Sequence, residues 1–173
     1  QVCGSGLRAV AAGYQAIISN DSKIVIAGGQ ESMSKAPHAI YIRDGKKLEE
    51  TNLIDTMIQD GLWDAFNGYH MGVTAENVAS KWKISRQEQD DFALTSQNKA
   101  ENAQQEGKFK NEIVPIILNE NKSTNILAVD EYPRKGMTLS RLNKLKPSFK
   151  KDGTVTPGNA SGINDGAAAV VLM

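Results

Sequence analysis

The sequence predicts an α/β protein. Amphipathic helical segments occur together with short apolar stretches of strand length. The first predicted helix is followed within a few residues by a continuous apolar strand, which is half of a βαβ unit. The chain has 173 residues, of which 40% are hydrophobic and 23% charged, so it is long enough to form a sizeable core.

The first helix is predicted over residues 4–20, because apolar side chains recur there at helical spacing and form one face. Asn20-Asp21 is expected to break it. The next apolar run, residues 23–27, predicts a continuous strand that is buried on both faces. Gly28-Gly29 is expected to end this strand. A long polar, irregular stretch is predicted after it, through Pro37, Asp44-Gly45 and Lys46-Lys47.

The middle of the chain is predicted to be mainly helical. Leu53, Ile54, Met57 and Ile58 predict a short amphipathic helix that stops at Gly61. Residues 75–82 predict a second helix. The pair Ser85 and Glu88 forms a capping box, which predicts the start of a longer helix that ends at Gly107.

Three apolar runs in the second half predict strands. Residues 113–118 and 125–129 predict two strands joined across a polar turn, and Pro115 favours an edge position for the first. Residues 167–173 predict a buried strand at the end of the chain.

The most informative position is Cys3, the single cysteine. It stands at the start of the first predicted helix, where unpaired N–H groups and the helix dipole favour thiolate over thiol. Gly4 and Gly6 leave room for a substrate beside the sulfur and for an oxyanion at a backbone N–H. The pattern favours a nucleophile that attacks carbonyl carbon. The alternative is a buried structural cysteine, the more common role of a lone cysteine.

Charge and composition exclude several classes of protein. Lys+Arg and Asp+Glu number 20 each, so no net charge attracts the chain to nucleic acid or to an anionic membrane. The apolar runs are too short for a membrane span, and no leader pattern is present. An unpaired thiol suits a reducing compartment, and we predict a cytoplasmic protein. His38, His70 and Cys3 lack metal-ligand spacing, so the sequence implies no metal.

Two further segments each allow two interpretations. The stretch from Tyr132 to Lys151 is rich in basic residues and has no acidic ones, and it is either a solvated loop or a site for phosphates. Arg134 could offer a phosphate a planar fork. The small-residue turn at 157–162 is either ordinary turn chemistry or a floor for a long, thin ligand. The basic residues are Arg134, Lys135, Arg141, Lys144, Lys146, Lys150 and Lys151.

We expect the chain to be an internal part of a longer enzyme. Cys3 lies two residues from the first residue, with no strand before it to position it, and an apolar strand stands at the other end. Buried parts of a sheet are not where domain boundaries usually fall.

Five blocks of the sequence resemble the thiolase family. They occur in order over essentially the whole chain, and together they are far more specific than any single motif. The similarity is greatest to the short-chain biosynthetic branch of the family. The blocks are VCGSGLRAV at 2–10, AGGQESMS at 27–34, YHMG at 69–72, TAENVA at 74–79 and GNASGINDGAA at 158–168.

The resemblance implies a layered α/β fold, with a partial N-terminal domain at 1–34 and 158–173 and a loop domain at 35–157 that covers the CoA site. It implies a reversible Claisen condensation of two acetyl-CoA to acetoacetyl-CoA and CoA, with Cys3 carrying the acyl group. The CoA thioester is then the substrate and no cofactor is implied. The parent enzyme would be a homodimer or homotetramer.

The resemblance also implies binding residues. His70 and Met71 match a pair beside the pantetheine and acyl group, and Arg134 matches a residue near the adenine and 3′-phosphate of CoA. Ala160 and Ser161 match the turn that contacts pantetheine. The apolar lining is matched by Leu62 and Ile163. Pro157-Gly158 departs from the small, alanine-like residues of many relatives. For His70 we predict positioning and no proton transfer, and a purely structural hydrogen-bonding role is the alternative.

The condensation also needs a base, which in this family is a second cysteine. An activating histidine and an asparagine that orients a water in the oxyanion hole lie in the family's C-terminal half as well. None of their motifs occurs in this chain. We therefore expect the 173-residue chain to be inactive alone, with weak CoA binding and an exposed apolar surface.

Three other functions are considered. A degradative 3-ketoacyl-CoA thiolase shares the nucleophile but normally lacks the pair His70-Met71. A non-catalytic CoA- or lipid-binding module related to thiolases would also look like a chain without its base. A cysteine hydrolase is disfavoured, because no histidine block of that kind follows Cys3.

Overall fold

The computed structural model describes residues 1–43, 45, 47, 52–120 and 123–173. Parts of the predicted irregular stretch, Asp44 and Lys46, lie outside these residues. The helices are α1 (Ser5–Ile18), α2 (Met71–Trp82), α3 (Arg86–Gln105) and α4 (Leu139–Leu142). The strands are β1 (Val25–Ser32), β2 (His38–Ala39), β3 (Ile54–Asp55), β4 (Trp63–Asp64), β5 (Tyr69–His70), β6 (Ile116–Glu120), β7 (Ser123–Leu127) and β8 (Asp165–Leu172). Helices and strands both occur, as the α/β prediction requires.

The chain divides into two compact units. The first comprises residues 1–71 and 162–173, and the second comprises residues 72–161. The domain division that the resemblance implies, with a loop domain at 35–157, stays a prediction. None of the helices in the described part of the chain has the length and apolar content of a transmembrane span.

The first unit is built on α1 and an antiparallel pair of strands. β1 pairs with β8 over its whole length, from Val25 opposite Leu172 to Ser32 opposite Asp165. α1 lies close to both strands at Gly13, which is buried. A Cβ atom at Gly13 would stand 2.8 Å from Cδ1 of Leu172 and 3.0 Å from Cγ1 of Val25. Glycine at this position therefore sets the close approach of helix to sheet.

The predicted first helix is confirmed, with α1 two residues shorter at its end. The backbone of Asn20 has a φ of +61°, which right-handed helices do not allow, so Asn20 breaks the helix as expected.

The prediction that Gly28-Gly29 ends the first strand was wrong. β1 continues through both glycines to Ser32, because they pair with Ala169 and Ala168 of β8. A Cβ atom at Gly28 would collide with the carbonyl oxygen of Ala168. The glycines thus allow a close approach of two strands, a use that the local sequence alone does not distinguish from a turn.

The prediction that both long strands are buried was also wrong for this chain. Of the β1 side chains, Ala27 is buried, whereas Ile26 is 75% exposed, and Val171 of β8 is 61% exposed. α1 covers one face at Gly13, and the side chains that alternate to the opposite face remain open within the described residues.

The predicted short helix that stops at Gly61 was wrong for Leu53 and Ile54, whereas Met57 and Ile58 are helical. Ile54 and Asp55 form β3 and pair with β2, and a π-helical segment, Met57–Leu62, follows. The Asp55 carboxylate accepts a hydrogen bond from the Met57 N–H at 2.9 Å, which begins this segment. The segment continues through Gly61, which does not end it.

The two long strands are also fixed where they meet residues 33–35. Asp165, the first residue of β8, accepts hydrogen bonds from the hydroxyl group of Ser34 and from its N–H at 2.9 Å. These bonds hold the pKa of Asp165 below its ordinary value. The contact ties the end of β1 to the beginning of β8.

The second unit is mainly helical. α2 and α3 confirm the two predicted helices, and β6 pairs with β7 as the predicted hairpin, shifted by two or three residues along the sequence. The capping box is present, since the Ser85 hydroxyl accepts from the Glu88 N–H and the Glu88 carboxylate accepts from the Ser85 N–H at 2.7 Å. Gly107 follows α3 with a φ of +67°, as expected for a glycine after a helix.

Replacement of Ser85 by alanine is expected to lower the free energy of unfolding by about 1 kcal/mol, because the Glu88 N–H loses its capping acceptor. Urea denaturation followed by circular dichroism measures the change. Ser96→Ala, at an exposed interior position of the same helix, is the matched control and should not lower the midpoint, because alanine is the better helix former. Equal midpoints for the Ser85 variant and the wild type would contradict the expectation.

Candidate functional site

Cys3 lies in a 3-10 turn, Val2–Gly4, that continues directly into α1. Its side chain is exposed, as a nucleophile requires, and it is not the buried structural cysteine of the alternative interpretation. Gly4, which follows Cys3, occupies the N-cap position of α1. Val2, which precedes it, has a φ of +49°, an outlier for a β-branched residue and a form of strain that often occurs at functional sites.

Small residues bring the start of α1 close to β1. A Cβ atom at Gly29 would stand 3.4 Å from the Cα atom of Gly6, whereas one at Gly6 would meet nothing within 4 Å. Because Gly29 has no side chain, the start of α1 can lie this close to β1. The space beside Gly6 is open, consistent with the predicted access for a substrate.

An open cleft of about 1190 Å³ lies at Cys3 in the first unit. Its walls come from the first turns of α1, from β1, from β8 and from residues 56–62. Much of the lining is glycine or alanine, at residues 27–29 and 166–169, so the backbone itself is accessible there. Within the described residues, the cleft leaves the Cys3 side chain accessible.

Two of the predicted site residues line this cleft, Cys3 and Leu62. Leu62 is half-buried and ends the π-helical segment. His70, Met71 and Ile163 belong to the same unit but are not among the lining residues. Ile163 is 59% exposed and lies just before β8.

A short hairpin carries Leu62, His70 and Met71. β4 pairs with β5 so that His70 lies opposite Trp63, the residue after Leu62. Asp64 builds the turn, since its carboxylate accepts from the side-chain amide of Asn67 at 2.8 Å and from two backbone N–H groups. These bonds, that of the Asn67 side chain first, hold the pKa of Asp64 below its ordinary value. The hairpin thus places His70 opposite Trp63, next in sequence to Leu62.

Arg134 lies in the second unit, on a segment that one face of α3 holds in place. Gln97 accepts from the Arg134 N–H at 3.2 Å, and Glu101 accepts from the Gly136 N–H at 3.0 Å. Gln104 donates to the carbonyl oxygen of Asp130 at 3.0 Å. These three side chains recur at helical spacing, so they form one row on α3. Arg134 itself is exposed.

Ala160 and Ser161 follow a turn at 157–159 in the second unit. Thr156, fully buried, begins this turn, and its carbonyl oxygen accepts from the N–H groups of Asn159 at 3.2 Å and Ala160 at 3.0 Å. Ser161 is exposed. The structure thus places Cys3, Leu62, His70, Met71 and Ile163 in the first unit and Arg134, Ala160 and Ser161 in the second.

The sequence analysis missed two buried acids of the second unit. Glu76 is 5% exposed, and its carboxylate accepts from the N–H groups of Thr154 and Val155, both at 2.8 Å. Asp90 is fully buried. A pattern in the sequence could have identified Glu76, because it shares a helix face with Gly72 and Ala79, where an unpaired charge would be costly.

Metal-binding groups of at least three His, Cys, Asp or Glu side chains were searched for in the described ranges, and none occurs there.

Comparisons with known proteins identify related chains. The model of the thiolase N-terminal domain matches residues 1–173. An acetyl-CoA acetyltransferase of Paracoccus denitrificans is 61% identical over all of this chain, which covers 44% of that relative. The structure of acetyl-CoA acetyltransferase from Syntrophomonas wolfei matches with a TM-score of 0.90 and 43% identity over 98% of this chain and 43% of that one. Human mitochondrial 3-ketoacyl-CoA thiolase matches with a TM-score of 0.87 and 44% identity over the same shares. The chain thus spans less than half the length of these relatives.

Proposed function

The chain belongs to the thiolase family, and on this premise we propose that the protein is an acetyl-CoA C-acetyltransferase. It condenses two acetyl-CoA molecules to acetoacetyl-CoA and CoA, reversibly, through an acetyl thioester on Cys3. The observation that carries the proposal is the exposed Cys3 sulfur at the start of α1, beside a cleft lined by glycine and alanine. The 61% identity with a relative named acetyl-CoA acetyltransferase supports the choice of substrate.

The first half-reaction uses the Cys3 thiolate. It attacks the carbonyl carbon of acetyl-CoA, a tetrahedral oxyanion forms, and its collapse expels CoA as a thiolate that takes up a proton. In this proposal the positive end of the α1 dipole, at Gly4 and Ser5, favours the oxyanion. The N–H groups of Gly4 and Ser5 themselves donate to the carbonyl oxygens of Gln1 and Val2. Cys3 then carries the acetyl group as a thioester.

The second half-reaction forms the carbon–carbon bond. A base removes a proton from the methyl group of the second acetyl-CoA, and the resulting carbanion attacks the thioester carbon and releases the Cys3 thiolate. Cys3 cannot be that base, because its sulfur is acylated at this step. The chain contains one cysteine, so we propose that the 173 residues alone do not complete the condensation.

The binding residues follow the family pattern in this proposal. His70 and Met71 lie beside the acyl group and pantetheine, Leu62 and Ile163 line the apolar channel, Ala160 and Ser161 contact pantetheine, and Arg134 approaches the 3′-phosphate. The exposure of Arg134 and Ser161 supports these roles, since both side chains are accessible to a ligand. The loop domain at 35–157, a homodimeric or homotetrameric assembly and a cytoplasmic location belong to the same proposal.

The test is an assay of the full-length gene product with acetyl-CoA alone. We expect acetoacetyl-CoA to form and mass spectrometry to find an acetyl group on the peptide that contains Cys3. Formation of acetate without a carbon–carbon bond would indicate a hydrolase instead. CoA binding without any acetylation would indicate the non-catalytic module.

A second candidate is the degradative 3-ketoacyl-CoA thiolase, which the 44% identity with the human mitochondrial enzyme favours. The same preparation distinguishes the two through its preference among 3-ketoacyl-CoA substrates in the thiolysis direction. The proposed function predicts that acetoacetyl-CoA is the preferred substrate. A preference for long acyl chains would support the second candidate.

A further inference from the structure

The turn that leads to Ala160 and Ser161 is held by a pair of side chains, Asp90 and Asn159, that the proposed function does not use. Asp90, on α3, is fully buried. Its carboxylate accepts from Nε of Arg86 at 2.7 Å and from Nδ2 of Asn159 at 3.0 Å. The pair connects α3 to the turn across 69 residues of sequence.

The partners of Asn159 determine which way its amide faces. Its Nδ2 also donates to the carbonyl oxygen of Thr154 at 3.0 Å, and its Oδ1 accepts from the Thr156 N–H at 2.8 Å. A carboxylate paired with arginine and a carbonyl can only accept, so the NH₂ group must face them. The oxygen is then left to face Thr156. Asp90 therefore orients the Asn159 amide, and the amide in turn holds the Thr156 N–H.

The turn is also held from its other side. A Cβ atom at Gly158 would stand 2.5 Å from Cδ2 of Leu142 and 2.6 Å from Cδ1 of Leu145, so this part of the turn packs directly on the α4 region. Arg86 connects the same region to the network, since it donates to the carbonyl oxygens of Leu142 at 2.8 Å and Leu145 at 3.1 Å. The backbone that enters Ala160 and Ser161 has little freedom to rotate.

We propose that Asn159 is a positioning residue for the CoA thioester, oriented by Asp90, and that the pair sets the direction in which Ala160 and Ser161 meet the pantetheine arm. The inference rests on the proposed function, in which these two residues contact pantetheine. A long, flexible ligand gains affinity from a surface that is ordered before it binds, because less ordering is needed on binding. Neither Asn159 nor Asp90 touches the reacting atoms in this proposal.

The experiment compares Asn159→Asp, Asp90→Asn and the exchanged pair Asp90→Asn/Asn159→Asp in the full-length gene product. Asn159→Asp places two carboxylates together and removes two donors, so KM for acetyl-CoA should rise about 10-fold with kcat nearly unchanged. Asp90→Asn should raise KM in the same direction, because the orientation of the Asn159 amide is no longer forced. In the exchanged pair, the amide at position 90 donates to the carboxylate at 159 and still accepts from Arg86. The bond from position 159 to the Thr154 carbonyl oxygen is not restored in the exchanged pair, so KM should recover in part, to a value between those of Asn159→Asp and the wild type.

A control variant that also loses stability distinguishes the positioning role of Asn159 from a purely structural role. Ser85→Ala lowers the stability of the same unit through the cap of α3, and it should leave KM unchanged. If the Asn159 variant melts at a lower temperature but keeps the wild-type KM, or if the exchanged pair shows no recovery of KM, the positioning role is wrong.

The experiments also distinguish failure of the proposed function from failure of the positioning role. A wild-type protein that does not turn over acetyl-CoA would contradict the proposed function, and calorimetric titration with CoA would then test the positioning role. Weaker CoA binding by Asn159→Asp, recovered in part in the exchanged pair, would support it, and an unchanged Kd would refute it. Absence of CoA binding by the wild type would overturn both proposals.

Discussion

Replacement of Cys3 by serine is expected to reduce acetyl transfer by the full-length gene product by at least about 1000-fold in kcat. A serine oxygen at this position is a poor nucleophile at neutral pH, whereas the cleft beside position 3 keeps its shape. Thiolysis of acetoacetyl-CoA measures kcat, and mass spectrometry of the peptide that contains position 3 should find no acetyl group. Because Cys3 is exposed, the variant should melt at the wild-type temperature.

Chemical labelling provides an independent measurement of the same prediction. Iodoacetamide should alkylate Cys3 in the wild type, and prior incubation with acetyl-CoA should protect it, because the sulfur is then a thioester. A variant that transfers acetyl groups at the wild-type rate without the Cys3 sulfur would contradict the proposed function. Labelling that acetyl-CoA does not affect would place the acyl group elsewhere.

The sequence predicted those elements whose determinants are local. The capping box at Ser85 and Glu88 and the glycine at 107 mark the ends of α3, and all three act within one helix. Cys3 at a helix start was likewise predicted from its neighbours, and the structure places it there, exposed and in a cleft.

The errors occur where a distant partner decides the structure. Gly28 and Gly29 look like a strand end, but β8, far along the sequence, pairs with them and keeps the strand extended. Ile54 and Asp55 look like part of a helix until β2 pairs with them. A local pattern carries no information about such partners. A prediction from it therefore selects the structure that the pattern most commonly forms.

The residues of the candidate site also depend on distant partners that the sequence does not reveal. The roles of Arg134, Ser161 and His70 came from family resemblance, and they stay predictions. The bonds from Glu76 to Thr154 and from Asp90 to Asn159 span 78 and 69 residues, and the sequence analysis did not predict them. A buried acid on an apolar helix face indicates that a partner exists, but the sequence does not indicate which donors it binds.

Replacement of Glu76 by alanine is expected to lower the free energy of unfolding by about 3 kcal/mol, because buried N–H groups lose their acceptor. The carboxylate accepts from the N–H groups of Thr154 and Val155 and from the Thr154 hydroxyl at 3.0 Å. Val155 is buried, so water cannot easily replace the lost acceptor. Gly153 adjoins the same carboxylate so closely that a Cβ atom there would collide with Oε1, which shows how tightly the segment is held.

Equilibrium denaturation in urea measures the effect, with two comparison variants. Glu76→Gln keeps one acceptor oxygen and should lose less stability than Glu76→Ala. Glu106→Gln removes an exposed carboxylate that pairs with Lys108 at 2.8 Å, and it should leave the midpoint unchanged, since exposed ion pairs contribute little. If Glu76→Ala unfolds at the wild-type midpoint, the carboxylate does not hold the segment.

The same carboxylate predicts a dependence of stability on pH. Burial alone would raise the pKa of Glu76, but the N–H groups of Val155 and Thr154, the Thr154 hydroxyl and the charge on Lys150 outweigh it, so the pKa lies below its ordinary value. The stabilisation is therefore complete above the unfolded-state pKa of about 4.3 and is lost as the pH falls through the lowered folded-state value. The difference in stability between wild type and Glu76→Gln should shrink as the pH is lowered through this range. A difference that stays constant would show that the ionised carboxylate is not what the Thr154 and Val155 N–H groups require.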